Sequence, residues 1–460
     1  MGVRQLGMRA CFAISCCTIG IGHHSARSQW VAAGAPFKQS PVQQVVSSPD
    51  GTRTYYCSRL ALDSGNWSYD NSILEYANGQ WDTIGSFPAS LIYSVVEYHD
   101  TLLIASGYQL INDGSTDVRI AYWNGSEWSA YGSVPSGAIR RLRVLDDTLY
   151  AVGSMDSLDG QYVHGAAKRV GGTWQPVGQP IADPYGGFLD AVIHQGRLVA
   201  IGNAQLPDGR GVYRLEDGTW TLLGGGIEGN LCSAQSIAVL DDVLYIGGQI
   251  TIACGNIGQG IMRLVNDEWE GVDLGLETDL GNTNSFAGAS CMTVHDGLLW
   301  AGGIFHYAGG VVAKGLATWN GSQWCGVPGN FSEGAGHNGV YRMDFYYDTL
   351  FVAANMVDGD SVNYAAKFIG ESYAGPCGSN VQVPEQNIAP GHGLFPNPAT
   401  STLHFDPPVV KRDLARITDA LGREVLHLAG PVSELDVSSW PRGVYILRSG
   451  ALPPARFVLQ

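Results

Sequence analysis

Between residues 41 and 373 the chain alternates apolar and polar positions in short runs, and many of these runs come in pairs joined by a two-residue turn. VLDDTLYAVG (144–153), VIHQGRLVAIG (192–202), VLDDVLYIGG (239–248) and VHDGLLWAGG (294–303) each read as strand, tight hairpin, strand ending in glycine. Asp-Asp, Gln-Gly and Asp-Gly suit such turns because short polar residues and glycine tolerate the positive φ the turn demands. After a variable loop comes a third strand, then a second tight turn (Asn78-Gly79, Asn124-Gly125, Gly171-Gly172, Asp217-Gly218, Asn320-Gly321), then a strand opening on an aromatic residue. Aligned on that aromatic, the copies end at Trp81, Trp128, Trp174, Trp220, Trp269, Trp324 and Tyr373, spaced 46 to 55 residues apart. The second strands give an independent count: Leu102, Leu149, Leu198, Leu244, Leu299 and Leu350 head six of them, and SPDGTRTYYC (48–57) is a degenerate seventh at the front.

A period of this length signals stacked supersecondary units that cannot bury their apolar faces alone. The pattern predicts an all-β chain: a seven-bladed β-propeller of four-stranded antiparallel blades across 29–377, followed by a small C-terminal β-sandwich. Five residues before each terminal aromatic stand Tyr76, Trp123, Arg169, Leu215, Leu264, Trp319 and Phe368, expected to pack blade on blade. Arg169 breaks that series and is expected to pack its alkyl stem while its guanidinium reaches solvent. The YIGG and WAGG segments followed by a distant Trp resemble kelch-like and related bacterial propeller repeats. Composition agrees with short strands and tight turns, with 62 Gly and only 15% charged residues.

Residues 374–393 lose the pattern and are rich in Gly and Pro, with the linker itself placed at 378–393. Beyond it lie PNPATSTLHF (396–405), ARITDALGREV (415–425) and ELDVSSWPRGVYILR (434–448). These three blocks, in this order at the C-terminus, resemble the type A C-terminal sorting domain of the type IX secretion system, with Asn397, Pro398, Gly422, Arg423, Asp436, Gly443 and Tyr445 at the matching positions. The resemblance covers 394–460. It implies a small β-sandwich, the type IX machinery as partner, and a cargo that is released or fixed on the surface of a Gram-negative cell. The N-terminus agrees with export: Arg4 and Arg9 precede the apolar run Ala10–Ile21, and Ala26-Arg27-Ser28 places signal cleavage before Gln29, giving a 1–28 signal peptide. That run is too short to span a bilayer, so no transmembrane segment is expected.

The formal charge is −16, and the repeats carry the acidity because the signal segment and the tail are each net basic. A nucleic-acid partner is therefore not expected, since phosphate affinity is built on clustered Lys and Arg. Export favours disulfides among Cys57, Cys232, Cys254, Cys291, Cys325 and Cys377, with buried thiols as the alternative. Cys232 with Cys254, in loops of one repeat, and Cys57 with Cys377, near the two ends of the array, are the pairs expected. Loops between second and third strands are where such folds gather ligands. They supply Tyr162 with His164, and His306 with Tyr307, as aromatic and hydrogen-bonding candidates; His337 with Tyr341 lies close by. Asp113, Asp117, Asp156, Asp159, Asp208, Asp358 and Asp360 could offer oxygens to calcium, but no dense D-x-[DN]-x-[DN]-G loop is present and no cofactor is otherwise indicated. His99, His194 and His295 all fall at a hairpin turn, so recurrence assigns them to structure. No G-x-S-x-G, H-E-x-x-H or phosphate loop occurs. Three classes of function follow: a binding or adhesion module for an extracellular glycan or protein, a carbohydrate-active hydrolase or lyase with residues converging on the channel mouth, or a purely scaffolding role in a surface layer.

Overall fold

A computed structural model describes residues 30–32, 42–59, 71–87, 92–107, 110–111, 117–179, 186–206, 209–279, 281, 287–331, 339–357, 362–370, 373, 375, 377, 393–409, 415–419, 423–428, 432–449 and 452–459. The chain divides into two compact units between Val381 and Gln382. In the first, seven four-stranded antiparallel sheets follow one another. Their innermost strands are Val42–Ser47, Ile92–Tyr98, Ile139–Leu145, Phe188–His194, Ser233–Leu240, Gly288–His295 and Val340–Tyr346, blades 1 to 7. Each packs on the next, and the seventh packs on the first, so the sheets form a closed ring. This is a β-propeller.

Blade packing follows from the aromatic positions. Tyr76 faces Trp81, Trp123 faces Trp128, Arg169 faces Trp174, Leu215 faces Trp220, Leu264 faces Trp269 and Trp319 faces Trp324 across the third and outer strands. The indole then abuts the preceding blade: Trp269 Nε1 donates to the Leu223 carbonyl at 3.1 Å and Trp324 Nε1 to that of Val272 at 3.4 Å. A glycine makes room there, since a Cβ on Gly178 would lie 2.6 Å from Trp220 Nε1.

In blade 7 the expected Tyr373 does not take this position. The outer strand is Trp30–Ala32, from the start of the described chain, with Trp30 opposite Phe368. Trp30 is fully buried, meets Phe331 and Phe368 edge-on, and donates its Nε1 to the Pro328 carbonyl of blade 6, as Trp269 and Trp324 do to their preceding blades. Tyr373 stacks on Phe368 at 4.3 Å, and its hydroxyl bonds the Leu350 amide and the Asp348 carbonyl. A ring built from tandem repeats leaves one apolar slot open, and the strand nearest to hand at the other chain end closes it.

The cysteines also depart from expectation at one pair. Cys232 and Cys254 are bonded, but Cys377 is bonded to Cys325 on the outer strand of blade 6 and not to Cys57. Cys57 lies on the second strand of blade 1, fully buried and free, as is Cys291 within blade 6. Gly375 lies against Gly326 and Cys377 pairs with Cys325, so this part of the chain runs along the outer strand of blade 6 and not beside blade 1. Arg169 is corrected as well: its guanidinium lies over the Tyr131 ring of blade 2 at 4.3 Å and 5.4 Å from the Trp174 ring. A cation on two aromatic faces replaces the apolar contact.

The second unit has a three-stranded and a four-stranded sheet sharing a core that includes Leu403, Phe405, Ile417, Tyr445, Leu447 and Phe457. The final strand, Leu452–Leu459, pairs along Gly443–Ser449 with a register shift near its two prolines, tolerated because the strand is at the sheet edge. Asn397 bonds this strand through both side-chain atoms, to Arg456 O and Val458 N. The Tyr445 hydroxyl donates to Pro441 O, Arg423 Nε pairs with Asp419 at 2.7 Å, and Asp436 accepts from the Ser438 amide. Gly422 lies outside the described residues.

Candidate functional site

Every innermost strand carries a bulge near its start. Opposite the second strand, one extra residue is accommodated between Val42 and Gln44, Ile92 and Ser94, Ile139 and Arg141, Phe188 and Asp190, Ala234 and Ser236, Ala289 and Cys291, and Val340 and Arg342. In blades 3, 4 and 6 the second strand ends there in glycine and the chains approach closely, since a Cβ on Gly153, Gly202 or Gly303 would lie 2.0, 2.1 or 1.9 Å from a carbonyl oxygen of the strand entry; blades 1, 2 and 7 carry Ser58, Ser106 and Ala354 at that position. Bulges re-aim side chains. Here the residue after each bulge is polar or a cysteine: Gln44, Ser94, Arg141, Asp190, Ser236, Cys291 and Arg342 form one ring of equivalent positions around the channel.

Much of this ring is tied blade to blade. Ser94 Oγ accepts from Leu142 N at 2.9 Å, Ser236 Oγ donates to Ala289 O at 2.7 Å, and Arg342 Nε donates to Gln44 Oε1 at 3.2 Å. Arg141 also reaches Gln44 Oε1, from the other side, at 3.4 Å. Arg143, two residues further along blade 3, grips Asp190 with two bonds of 2.7 and 2.6 Å. The cavity here has a volume of about 360 Å³ and is lined by Arg141, Arg143, Asp190, Gln235, Ser290, Arg342 and Asp344 over an apolar floor of Val46, Val96 and Met292.

Its electrostatics are uneven. Burial pulls the Arg141 guanidinium down to about 9, with Asp190 opposing and the Arg342 and Arg143 charges adding to the fall. Burial lowers Arg342 too. Burial is the largest influence on Arg143, but the charge and hydrogen bonds of Asp190 with the Asp344 charge together raise it, and Asp190 in turn sits below its ordinary value because the Arg143 and Arg141 charges and its hydrogen bonds together outweigh its desolvation. Burial raises Asp344, although the Ser47 and Phe345 amides each donate to it.

The sequence candidates lie elsewhere. The Tyr162 hydroxyl, in a side chain 59% exposed, is 3.3 Å from His164 Nδ1, and His164 contacts Asp156 at 3.2 Å, within a two-stranded flap of blade 3. His306 Nδ1–H donates to Thr278 O at 2.7 Å, and Tyr307 pairs with Glu277 and Val312 in a small sheet beside blade 6. These two sets belong to blades three apart and are not brought together. His337 lies outside the described residues, whereas Tyr341 occupies the bulge of blade 7. Of the calcium candidates, Asp156 accepts from Ser136 Oγ and Asp159 from the Ser133 amide; Asp113, Asp208, Asp358 and Asp360 lie outside the described residues. His99 meets Asp147 at 2.9 Å, His194 meets the Asp242 carbonyl at 3.0 Å and His295 meets Asp348 at 3.4 Å, each tying a hairpin to the next blade. Sequence reasoning missed the channel arginines. Their signal was IRRLRVL (139–145), three arginines in an innermost strand.

Residues 393–451 match the family described as the secretion system C-terminal sorting domain. The C-terminal unit is that domain, and the protein is type IX secretion cargo, secreted or displayed on the cell surface. Among the described residues no helix is long and apolar enough to cross a membrane. Similar solved structures include PorZ, a surface component of the type IX secretion system of Porphyromonas gingivalis (12% identity, TM-score 0.43, 91% of this chain and 59% of that one). Another is the GH74 xyloglucanase of Xanthomonas campestris (13% identity, TM-score 0.40, 72% and 43%). The chain thus spans less than two thirds of either. No curated protein sequence matches it.

Proposed function

We propose that the propeller is an extracellular binding or adhesion module, delivered by its sorting domain, that takes a glycan or protein partner at the channel mouth. The supporting observation is the state of the carboxylates on the channel. Asp190 has both oxygens engaged by Arg143, Glu97 has one on Arg53 at 2.5 Å and the other on the Tyr55 hydroxyl at 2.8 Å, and Asp344 has both on backbone amides. A general acid or base must be within reach of the substrate proton, and every oxygen of these three carboxylates already accepts a hydrogen bond from the protein. Among the described residues these three carboxylates are committed to holding the fold, which favours recognition over turnover. The arginine cluster is the feature a carbohydrate-active enzyme would share, so the test carries both arms. The secreted protein is applied to glycan, matrix-protein and cell-surface panels, and the retained glycans are checked for cleavage. Saturable binding without product is the expected result; new reducing ends or unsaturated products would replace the module with a hydrolase or lyase, and no binding on any panel would overturn it.

A further inference from the structure

The carboxylates that line the cavity are engaged elsewhere: Glu97 by Arg53 and Tyr55, and Asp344 by two backbone amides. Arg141, Arg143 and Arg342 converge on the channel ring, and Asp190 answers Arg143 with both of its oxygens. Arg141 and Arg342 share one neutral side-chain atom, Gln44 Oε1, at 3.4 and 3.2 Å, and Arg342 Nη1 also donates to the Tyr341 carbonyl at 2.6 Å. Arg141 Nε lies 3.4 Å from Asp190 Oδ2 but lacks the alignment of a hydrogen bond, and it has no other partner. Arg141 keeps only 14% of its side-chain surface accessible. Two neighbouring guanidiniums hydrogen-bonded only to neutral oxygens repel each other, and burial of like charge is strongly unfavourable unless an anion joins them. Their planar forks are the groups that bind carboxylate, sulfate and phosphate by paired N–H donors. Access fits: the ring lies one residue below the bulges, whose extra residues include Tyr93, Arg140, Gln235, Ser290 and Tyr341. Arg140 stands over the Tyr93 ring at 4.6 Å, placing a further cation and an aromatic face at the mouth.

We propose that this ring is an anion site, seating one carboxylate, sulfate or phosphate group between the Arg141 and Arg342 guanidiniums with Gln44 at their meeting point. The inference rests on the binding-module reading and gives that channel its ligand chemistry: the anionic end of a glycan, or a free small anion. A cavity of about 360 Å³ is at the small end of ligand sites, which suits one acidic group and the ring that bears it.

The test is calorimetric titration of the secreted protein at constant ionic strength, set with chloride, using D-glucuronate, inorganic sulfate and inorganic phosphate, with glucose as the uncharged control. Binding of one anion per chain is expected for at least one of the three, and none for glucose. Glucuronate alone points to an acidic glycan end, whereas sulfate or phosphate alone points to a tetrahedral group. Arg342→Met is expected to weaken binding by about 10- to 100-fold, the loss of charge-assisted hydrogen bonds. Because it removes one of two neighbouring like charges, it should also keep or raise the Tm in chloride. Arg197→Met, at an exposed pair with Glu216, is expected to change neither. If Arg342→Met is not recovered folded, Arg141→Lys keeps the charge, gives up the fork and is expected to bind about tenfold more weakly. No saturable heat from any anion up to about 10 mM, or equal affinity in the arginine variants, overturns the site. A panel ligand retained by those variants keeps the binding module while rejecting the anion site; anion binding without a panel ligand does the reverse.

Discussion

Asp190 shows how one residue on the channel works at two levels. It is 3% exposed, and both of its oxygens accept from Arg143, whose side chain keeps 38% of its surface accessible. Its folded-state pKa lies below the ordinary aspartate value near 4, so the stability it contributes is fully present above that value and is lost as pH falls through the lower, folded one. Asp344 runs the other way: its raised value means that its contribution belongs to acid and is lost as pH rises through the folded value. Asp190→Asn should therefore cost about 1.5 to 3 kcal/mol at pH 7, the loss of charged hydrogen bonds to an arginine that water can still reach in part. The difference from the parent should shrink toward pH 2. Urea unfolding at both pH values measures it, and a gap that does not narrow in acid would show that Asp190 acts through packing and not through charge.

Among the elements, the three-residue strand Trp30–Ala32 carries more than its length suggests. It completes blade 7, and Trp30 fills the slot that an outer-strand tryptophan fills in the other blades. Trp30→Ala leaves a cavity between Phe331 and Phe368 and is expected to destabilise by about 3 to 5 kcal/mol. The loss should be concentrated in blade 7, so hydrogen exchange should quicken first in Val340–Tyr346 and Thr349–Val357. Uniform exchange across all blades would mean that closure is not local. The two disulfides close separations of 22 and 52 residues, for which loop-closure entropy gives about 3 and about 4 kcal/mol. The second clasps the chain leaving blade 7 onto blade 6, so the ring is secured at both chain ends.

For the whole molecule, the sorting domain and the propeller that carries the proposed binding site are different units of the chain. The sorting domain has its own core, and the propeller's ring is closed by contacts internal to it. Removing 394–460 should then leave a folded propeller that stays in the periplasm. Fractionation with immunodetection checks this, and protein reaching the medium or outer surface as before would refute the assignment of export to the tail.

What the sequence determined by itself is what repetition and local chemistry determine. Turn residues, strand alternation and the recurring tryptophans specified the four-stranded blade, because those signals act within a few residues, and the three blocks of the tail specified the sorting domain. The Cys232–Cys254 pairing falls within one repeat and was equally near at hand. What only the tertiary structure decided is what depends on closing the ring. Trp30 replaces Tyr373, and Cys377 meets Cys325 instead of Cys57, because the two chain ends meet only after seven blades have turned through a full circle. The candidate site was hidden for the same reason. Gln44, Arg141, Asp190 and Arg342 are far apart along the chain and share no linear motif. They become one site because the same bulge, repeated in every blade, brings equivalent positions to one level of a common channel.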